Sequence, residues 1–209
     1  MKEKDCDQIT TALPKQEKPP LWTTDYILIC LSALAMFLSF HSLIPTLPVY
    51  IERFGGTTGA AGLALSALTL AAVISRPFAG WCLDKYGRKK IFIWGLLLFL
   101  LPMLIYACMI PVAVLILLRF FQGLAWGVGN TGSMTVASDI VPRERLGEGM
   151  GFFSLTLSIS MAAAPALGLW LINSYSFPIL FFTCSFLLLL SAILAFFIKY
   201  PKIETPSAK

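Results

Sequence analysis

The residues capable of chemistry in this chain are few, and they fall into three groups. Residues 80–92 read GWCLDKYGRKKIF and gather one acid, four bases and two glycines into a short space. Residues 119–130 read RFFQGLAWGVGN, in which Arg119, Gln122, Trp126 and Asn130 follow one another at helical spacing. His41 is the single histidine. These groups do not have the makings of a catalytic centre. No nucleophile is spaced with a base, and one histidine with five scattered cysteines supplies neither a metal-ligand set nor a disulfide framework. The chain is therefore not expected to be an enzyme, and no cofactor is expected. An isolated arginine, amides and an imidazole are suited instead to binding a polar group, holding or passing a proton, and lining a wet path.

The elements that position these residues follow from composition. With 57% apolar residues, 13% charged residues and a mean hydropathy of +0.80, the chain lies far outside the range of soluble domains and must sit in a lipid bilayer. A bilayer core about 30 Å thick takes roughly 20 apolar residues per helical span. Residues 26–51, 54–75, 91–118, 120–138 and 149–198 lack Asp, Glu, Lys and Arg. The last stretch holds two spans, broken at INSYSFP, and a further turn falls at Met109–Pro111. The pattern predicts an all-α membrane protein with helices at about 25–49, 58–80, 90–109, 112–138, 147–171 and 178–198. Residues 1–24 then form a polar tail, 25–198 the bundle, and 199–209 a second tail. The first 25 residues hold four bases, the 76–90 region five, the 139–148 loop two and the segment after Ile198 three. Because Lys and Arg accumulate on cytoplasmic segments, both termini are expected there, with helix 1 an uncleaved signal anchor. The net charge of +5 is thus a record of topology and not a nucleic-acid footprint.

In lipid the backbone must be satisfied internally, so segment 81–90 is expected to be an aqueous connection between helices 2 and 3. Asp84 is its anomaly, since a carboxylate at the C-terminal end of a helix meets the negative end of the dipole and needs a base, for which Arg88 is nearest. Gly80 would permit close helix contact and Gly87 a turn with positive φ. In the 4–5 loop, SDIVPRERLGEGMG, Asp139 and Arg143 are expected to join Arg88 and Asp84 in one charge cluster, or else to be ordinary solvated charges.

Arg119 lies about seven residues inside helix 4, roughly 10 Å deep at 1.5 Å per residue. A charge at that depth normally faces a water-filled cavity or a partner. At 100° per residue Trp126, Asn130 and Ser133 project close to its direction, with Gln122 at the edge. His41 has a similar depth in helix 1, where it titrates, stays neutral on a helix carbonyl, or binds substrate without titrating. Asp25 and Glu148 stand in the first two residues of their predicted helices, and no Asp or Glu falls deeper within any predicted span.

Three of these segments carry a resemblance to the major facilitator superfamily. Gly80, Asp84, Lys85, Gly87, Arg88 and Lys89 match its loop 2–3 signature G-x-x-x-D-[RK]-x-G-R-[RK], with Cys82 where the family usually has Leu. The resemblance implies that this loop packs the two transporter halves together on the cytoplasmic face, with Arg88 pairing to an acid at the end of helix 4, here Asp139. Arg119, Gln122 and Gly123 match R-x-x-Q-G, found in proton-coupled members, which implies that Arg119 lines the central cavity and influences protonation nearby. In helix 5, Gly151, Ser160, Ala164, Pro165 and Gly168 fall on an antiporter pattern, G-x8-G-x3-G-P-x2-G-G, with Ser160, Ala164 and Leu169 replacing glycines. Since helices 1 and 4 both line the cavity in that family, His41 and Arg119 are expected to share one pocket.

The resemblance covers only the first six of the usual twelve helices. Family members bind substrate between two six-helix halves, so a second half, or a parallel homodimer, would be needed to enclose a site, and the segment after Ile198 resembles the start of the central linker. The function implied is that of a secondary transporter in the bacterial plasma membrane exporting a small organic compound in exchange for protons. The alternatives are metabolite uptake by symport or uniport, and a non-transporting fragment or assembly subunit.

Overall fold

The computed structural model describes residues 19–200, and the polar tail up to residue 18 and the segment 201–209 lie outside the described residues. Among the described residues the chain is helical throughout, with no strand. The helices are α1 (Thr24–Arg53), α2 (Thr58–Tyr86), α3 (Arg88–Tyr106), α4 (Val112–Ile140), α5 (Leu146–Ser174) and α6 (Phe177–Phe197), with a 3-10 turn at Arg143–Arg145. Each is long and apolar enough to cross a bilayer.

Of the helix ends that differ from the expected ones, three have a clear local reason. α1 runs past residue 49 to Arg53, where FGG ends it: Gly56 N–H donates to Ile51 O (2.8 Å) and Gly55 N–H to Glu52 O (3.3 Å), with Gly55 at φ +80°. This is a Schellman turn, which needs the left-handed conformation that glycine adopts without strain. α2 does not stop at residue 80 for an aqueous loop but continues to Tyr86. Its last turns are held by Leu83, which is buried, and by Lys85, whose ammonium lies 4.5 Å from the Trp81 ring centroid. Only Gly87, at φ +95°, separates α2 from α3. α3 ends at Tyr106, since Met109 adopts φ +55° and Pro111 follows as the N-cap of α4.

α4 packs along α2 through its glycines. A Cβ at Gly123 would fall on the Leu68 carbonyl oxygen, and one at Gly127 on the Ser75 hydroxyl and within 2.7 Å of Ala72 O. Small residues four apart let two backbones approach closely in a bilayer, where dispersion and not the hydrophobic effect drives helix association. Gly95 of α3 meets Gly129 N at 3.0 Å in the same sense, and Gly132 of α4 lies against Phe92. α1 packs on α5 and α6. Ser32 donates to Ser191 O (2.9 Å) and Ser191 to Ser32 O (2.8 Å), a reciprocal polar clasp with both side chains fully buried. Truncating either serine to alanine is expected to cost about 0.6 kcal/mol, and at most about 1.7, by thermal unfolding in detergent. The two single costs should not add, because each hydroxyl leans on the other.

The basic end of the bundle holds the start of α1, the α2–α3 break, the α4–α5 loop and the end of α6. Lys89 donates to Phe196 O (2.9 Å), and Asp25 accepts from Lys199 N–H (2.9 Å), so the chain leaving α6 is tied to α3 and α1.

Candidate functional site

Pro111 sets the start of α4, so Arg119 stands two turns inside the helix, about 10 Å along its axis. It is 5% exposed. Its Nη1 donates to Gln122 Oε1 at 2.8 Å, an i to i+3 contact on one helix face. The Tyr106 hydroxyl donates to the same oxygen at 3.1 Å, and its ring centroid lies 6.0 Å from the Arg119 guanidinium carbon. Gln122 Nε2 reaches Met103 Sδ at 3.7 Å. Gln122 is therefore the hub, although helical geometry alone put it at the edge of the stripe. Trp126, Asn130 and Ser133 share the helix with Arg119, but its hydrogen bond goes to Gln122 and its ring contact to Tyr106. Tyr106 was not singled out from sequence. The short 107–111 connection brings the end of α3 beside the first turns of α4, and that hairpin geometry was the available signal.

One turn on, Trp126 is the centre of an aromatic layer. Its indole stacks on Phe40 with centroids 3.7 Å apart and planes 6° from parallel, and Phe37 and Phe99 lie 5.8 and 5.6 Å away. His41 meets the Trp126 edge at 6.5 Å. Its Nδ1 is 2.9 Å from Phe37 O and 3.1 Å from Ser160 Oγ, whose own hydroxyl donates to Leu157 O. A carbonyl only accepts, so Nδ1 carries the hydrogen and Nε2 the lone pair. The helix-carbonyl bond expected in one reading of His41 is present. The pocket onto which Arg119 opens is lined by Phe40 and not by His41, and no hydrogen bond joins the two. Asn130 is half-buried and its carbonyl accepts from Ser133 Oγ (2.9 Å).

At the basic end, Arg88 Nε donates to Asp139 Oδ2 at 3.0 Å, and its Nη1 pairs with Asp84. Gly87 makes this possible by turning α3 away directly after α2, so that Arg88 opens the new helix beside the end of α4. The side chains of Arg88 and Asp139 are 15% and 22% exposed, that of Asp84 71%. The Arg88–Asp139 bond therefore carries most of the cluster's energy. Asp139→Asn is expected to cost about 1 kcal/mol in detergent unfolding and Asp84→Asn less than about 0.5 kcal/mol. Arg143 does not join: it is exposed and, among the described residues, has no ion pair. The 3-10 turn points Arg145 inward instead. It makes a two-pronged pair with Glu148 (2.9 and 2.7 Å) and donates to Pro19 O at 3.1 Å.

Neither Gly80 nor Gly151 is at a close helix contact among the described residues. A Cβ on Gly80 or Gly151 would meet nothing within 4 Å, because both face away from the other helices of the bundle. Gly168 does pack, its Cα lying so close to α1 that a Cβ would sit 2.6 Å from Ser42 O. Ser42 Oγ donates to Ala164 O (3.1 Å) just before Pro165, which lies half-buried in α5.

The described residues thus form a bundle of membrane-length helices with a buried guanidinium and amide inside it and a charge cluster at one end. A profile of the Major Facilitator Superfamily matches residues 29–209, and the chain belongs to that family. It is an integral membrane protein of a family whose members move small molecules and are not enzymes. The chain is 32% identical over 133 residues to the quinolone resistance protein NorA of Staphylococcus aureus, covering 64% of this chain and 34% of that one. It is 26% identical over 175 residues to multidrug resistance protein 2 of Bacillus subtilis (strain 168), covering 84% and 44%. The fold matches a peptide transporter POT mutant solved with sulfate (TM-score 0.72, 20% identity, 91% of this chain, 40% of that one). It also matches a D-xylose-proton symporter (TM-score 0.72, 13% identity, 87% and 49%). The chain thus spans between a third and a half of the length of the proteins it matches.

Proposed function

We propose that this chain is the first six-helix unit of an exporter that exchanges a small organic compound for protons, completed by a second six-helix unit or by a second copy of the chain. Both termini of the bundle would be cytoplasmic, as the bases at that end favour, and the membrane would be a bacterial plasma membrane. The observation that carries this reading is the Arg119–Gln122–Tyr106 network at bilayer depth in a chain 32% identical to a drug-resistance protein. A buried charge held only by neutral groups needs a functional reason to persist. In this scheme Arg119, Gln122, Trp126 and Asn130 line the path with His41, whose free Nε2 is a candidate proton acceptor. Asp84, Arg88 and Asp139, with Gly80 and Gly87, latch the cytoplasmic gate against the second unit, and Gly151, exposed on α5, meets that unit. Pro165 and Gly168 shape α5.

The test is uptake into inside-out vesicles made from cells expressing the chain, using fluorescent cationic, neutral and anionic amphiphiles. An imposed gradient, acid inside, is expected to drive accumulation of at least one of them, and a protonophore should abolish it. Accumulation driven only by the opposite gradient would make the protein an importer. Absence of any movement beyond that of control vesicles would leave the unit without transport activity.

A further inference from the structure

Among the described residues, one charge at bilayer depth has no counter-charge. A guanidinium offers five N–H donors, and among the described residues Arg119 gives one, to Gln122 Oε1. The described acids, Asp25, Glu52, Asp84, Asp139, Glu144 and Glu148, all sit in the first or last turn of a membrane-length helix or between helices. None lies at the depth of Arg119. Burying such a cation without an anion is costly.

Arg119 opens onto a pocket of about 290 Å³ between the second half of α1 and the first half of α2. The walls are almost entirely apolar, with Phe40, Ile44, Leu47, Leu65 and Leu68 among them, and Arg119 is the one charged residue that lines it. The larger groove of about 480 Å³ between α2, α3 and α4 has no charged lining residue, so it does not offer the same chemistry. An apolar slot that ends in a fork of unused donors complements a molecule with an apolar body and one carboxylate, because that fork matches a carboxylate in two parallel hydrogen bonds.

We propose that Arg119 and the α1–α2 pocket form a binding site for an amphipathic organic anion, with the guanidinium taking its carboxylate. The proposal rests on the transporter reading and names the substrate class of that site. The anion supplies the missing charge only while it is bound, so the site is more favourable occupied than empty.

The experiment compares 1-naphthoate with 1-naphthylmethanol, which has the same ring system without the charge, by calorimetry on the chain in lipid nanodiscs at pH 7. Naphthoate is expected to bind at least about tenfold more tightly, as one charge-assisted pair provides. Arg119→Gln should remove that preference. Gln122→Glu should remove it as well, since it sets a permanent carboxylate beside the guanidinium. Leu65→Trp, on an exposed pocket wall, should weaken both probes together, which keeps the test open if a variant at 119 or 122 does not fold. Equal affinity for the two probes, or no naphthoate binding, would overturn the proposal, as would a preference that survives Arg119→Gln or Gln122→Glu. Naphthoate binding by this rule in a chain that moves nothing across vesicles would sink only the transport reading. Proton-driven transport of amphiphiles with no dependence on a carboxylate would sink only this one.

Discussion

Gly123→Ala is expected to unfold the bundle or lower its stability by at least about 3 kcal/mol, the upper end of overpacking costs, and Gly127→Ala should act in the same direction. The reason is backbone against backbone. The added methyl of position 123 would occupy the place of the Leu68 carbonyl oxygen, and that of position 127 would lie 2.7 Å from Ala72 O after displacing the Ser75 hydroxyl. A side chain can rotate away, but a carbonyl in the middle of α2 cannot move without breaking the helix that carries it. Gly80→Ala and Gly151→Ala are the controls, because nothing lies within 4 Å of either added Cβ. In an isolated chain these should be neutral or stabilising by up to about 1 kcal/mol, the helical preference of alanine over glycine. Chemical or thermal unfolding of the four purified variants in one detergent checks the order. Equal losses at all four positions would show that α2 and α4 do not meet as described.

Arg119→Leu is expected to do two opposite things: raise the unfolding temperature and abolish transport. Replacing a buried charge that has no counter-charge with an apolar side chain of similar volume removes a desolvation penalty and is often stabilising by about 1 to 4 kcal/mol. Transport under an imposed proton gradient should fall by about a hundredfold or more, equivalent to about 2.7 kcal/mol at 1.36 kcal/mol per decade. Arg119→Lys should fall between, since an ammonium keeps the charge but not the planar fork that reaches Gln122. A stability rise together with lost function marks a residue kept for activity and not for folding. Loss of stability in Arg119→Leu would instead make Arg119 a structural strut of α4.

Much of this was legible from residue types. Charge-free stretches marked six spans, and the depth of Arg119 followed from a count along α4. The Arg88 pairing with Asp84 and Asp139 was expected from dipole logic and family resemblance, and the geometry has that arrangement. What escaped did so for physical reasons. The polar run 81–90 suggests an aqueous connection, yet a polar segment outside lipid can remain helical. Charge ends only the stay in lipid, and residues 81–86 continue as helix until Gly87. Tyr106 was missed because a tyrosine at a helix end reads as an interfacial anchor until the hairpin places it over Gln122. Gly123 and Gly127 have the small-x-x-x-small spacing, yet Gly123 was read only as part of the Arg119 motif. Arg143 and Arg145 are indistinguishable by type, and only the 3-10 turn decides that Arg145 is the one to reach Glu148.

Water is expected to reach the α1–α2 pocket at Arg119, and the α2–α3–α4 groove is expected to face lipid. Single cysteines at Ile44 and Leu65, on the pocket, and at Trp94 and Leu98, on the groove, test it directly in a background with the native cysteines replaced. All four side chains are exposed in the isolated bundle, so steric access alone does not separate them. A membrane-impermeant methanethiosulfonate reagent applied to the chain in native membranes is predicted to modify positions 44 and 65 and to spare 94 and 98. Modification of the groove positions with protection of 44 and 65 would contradict the account.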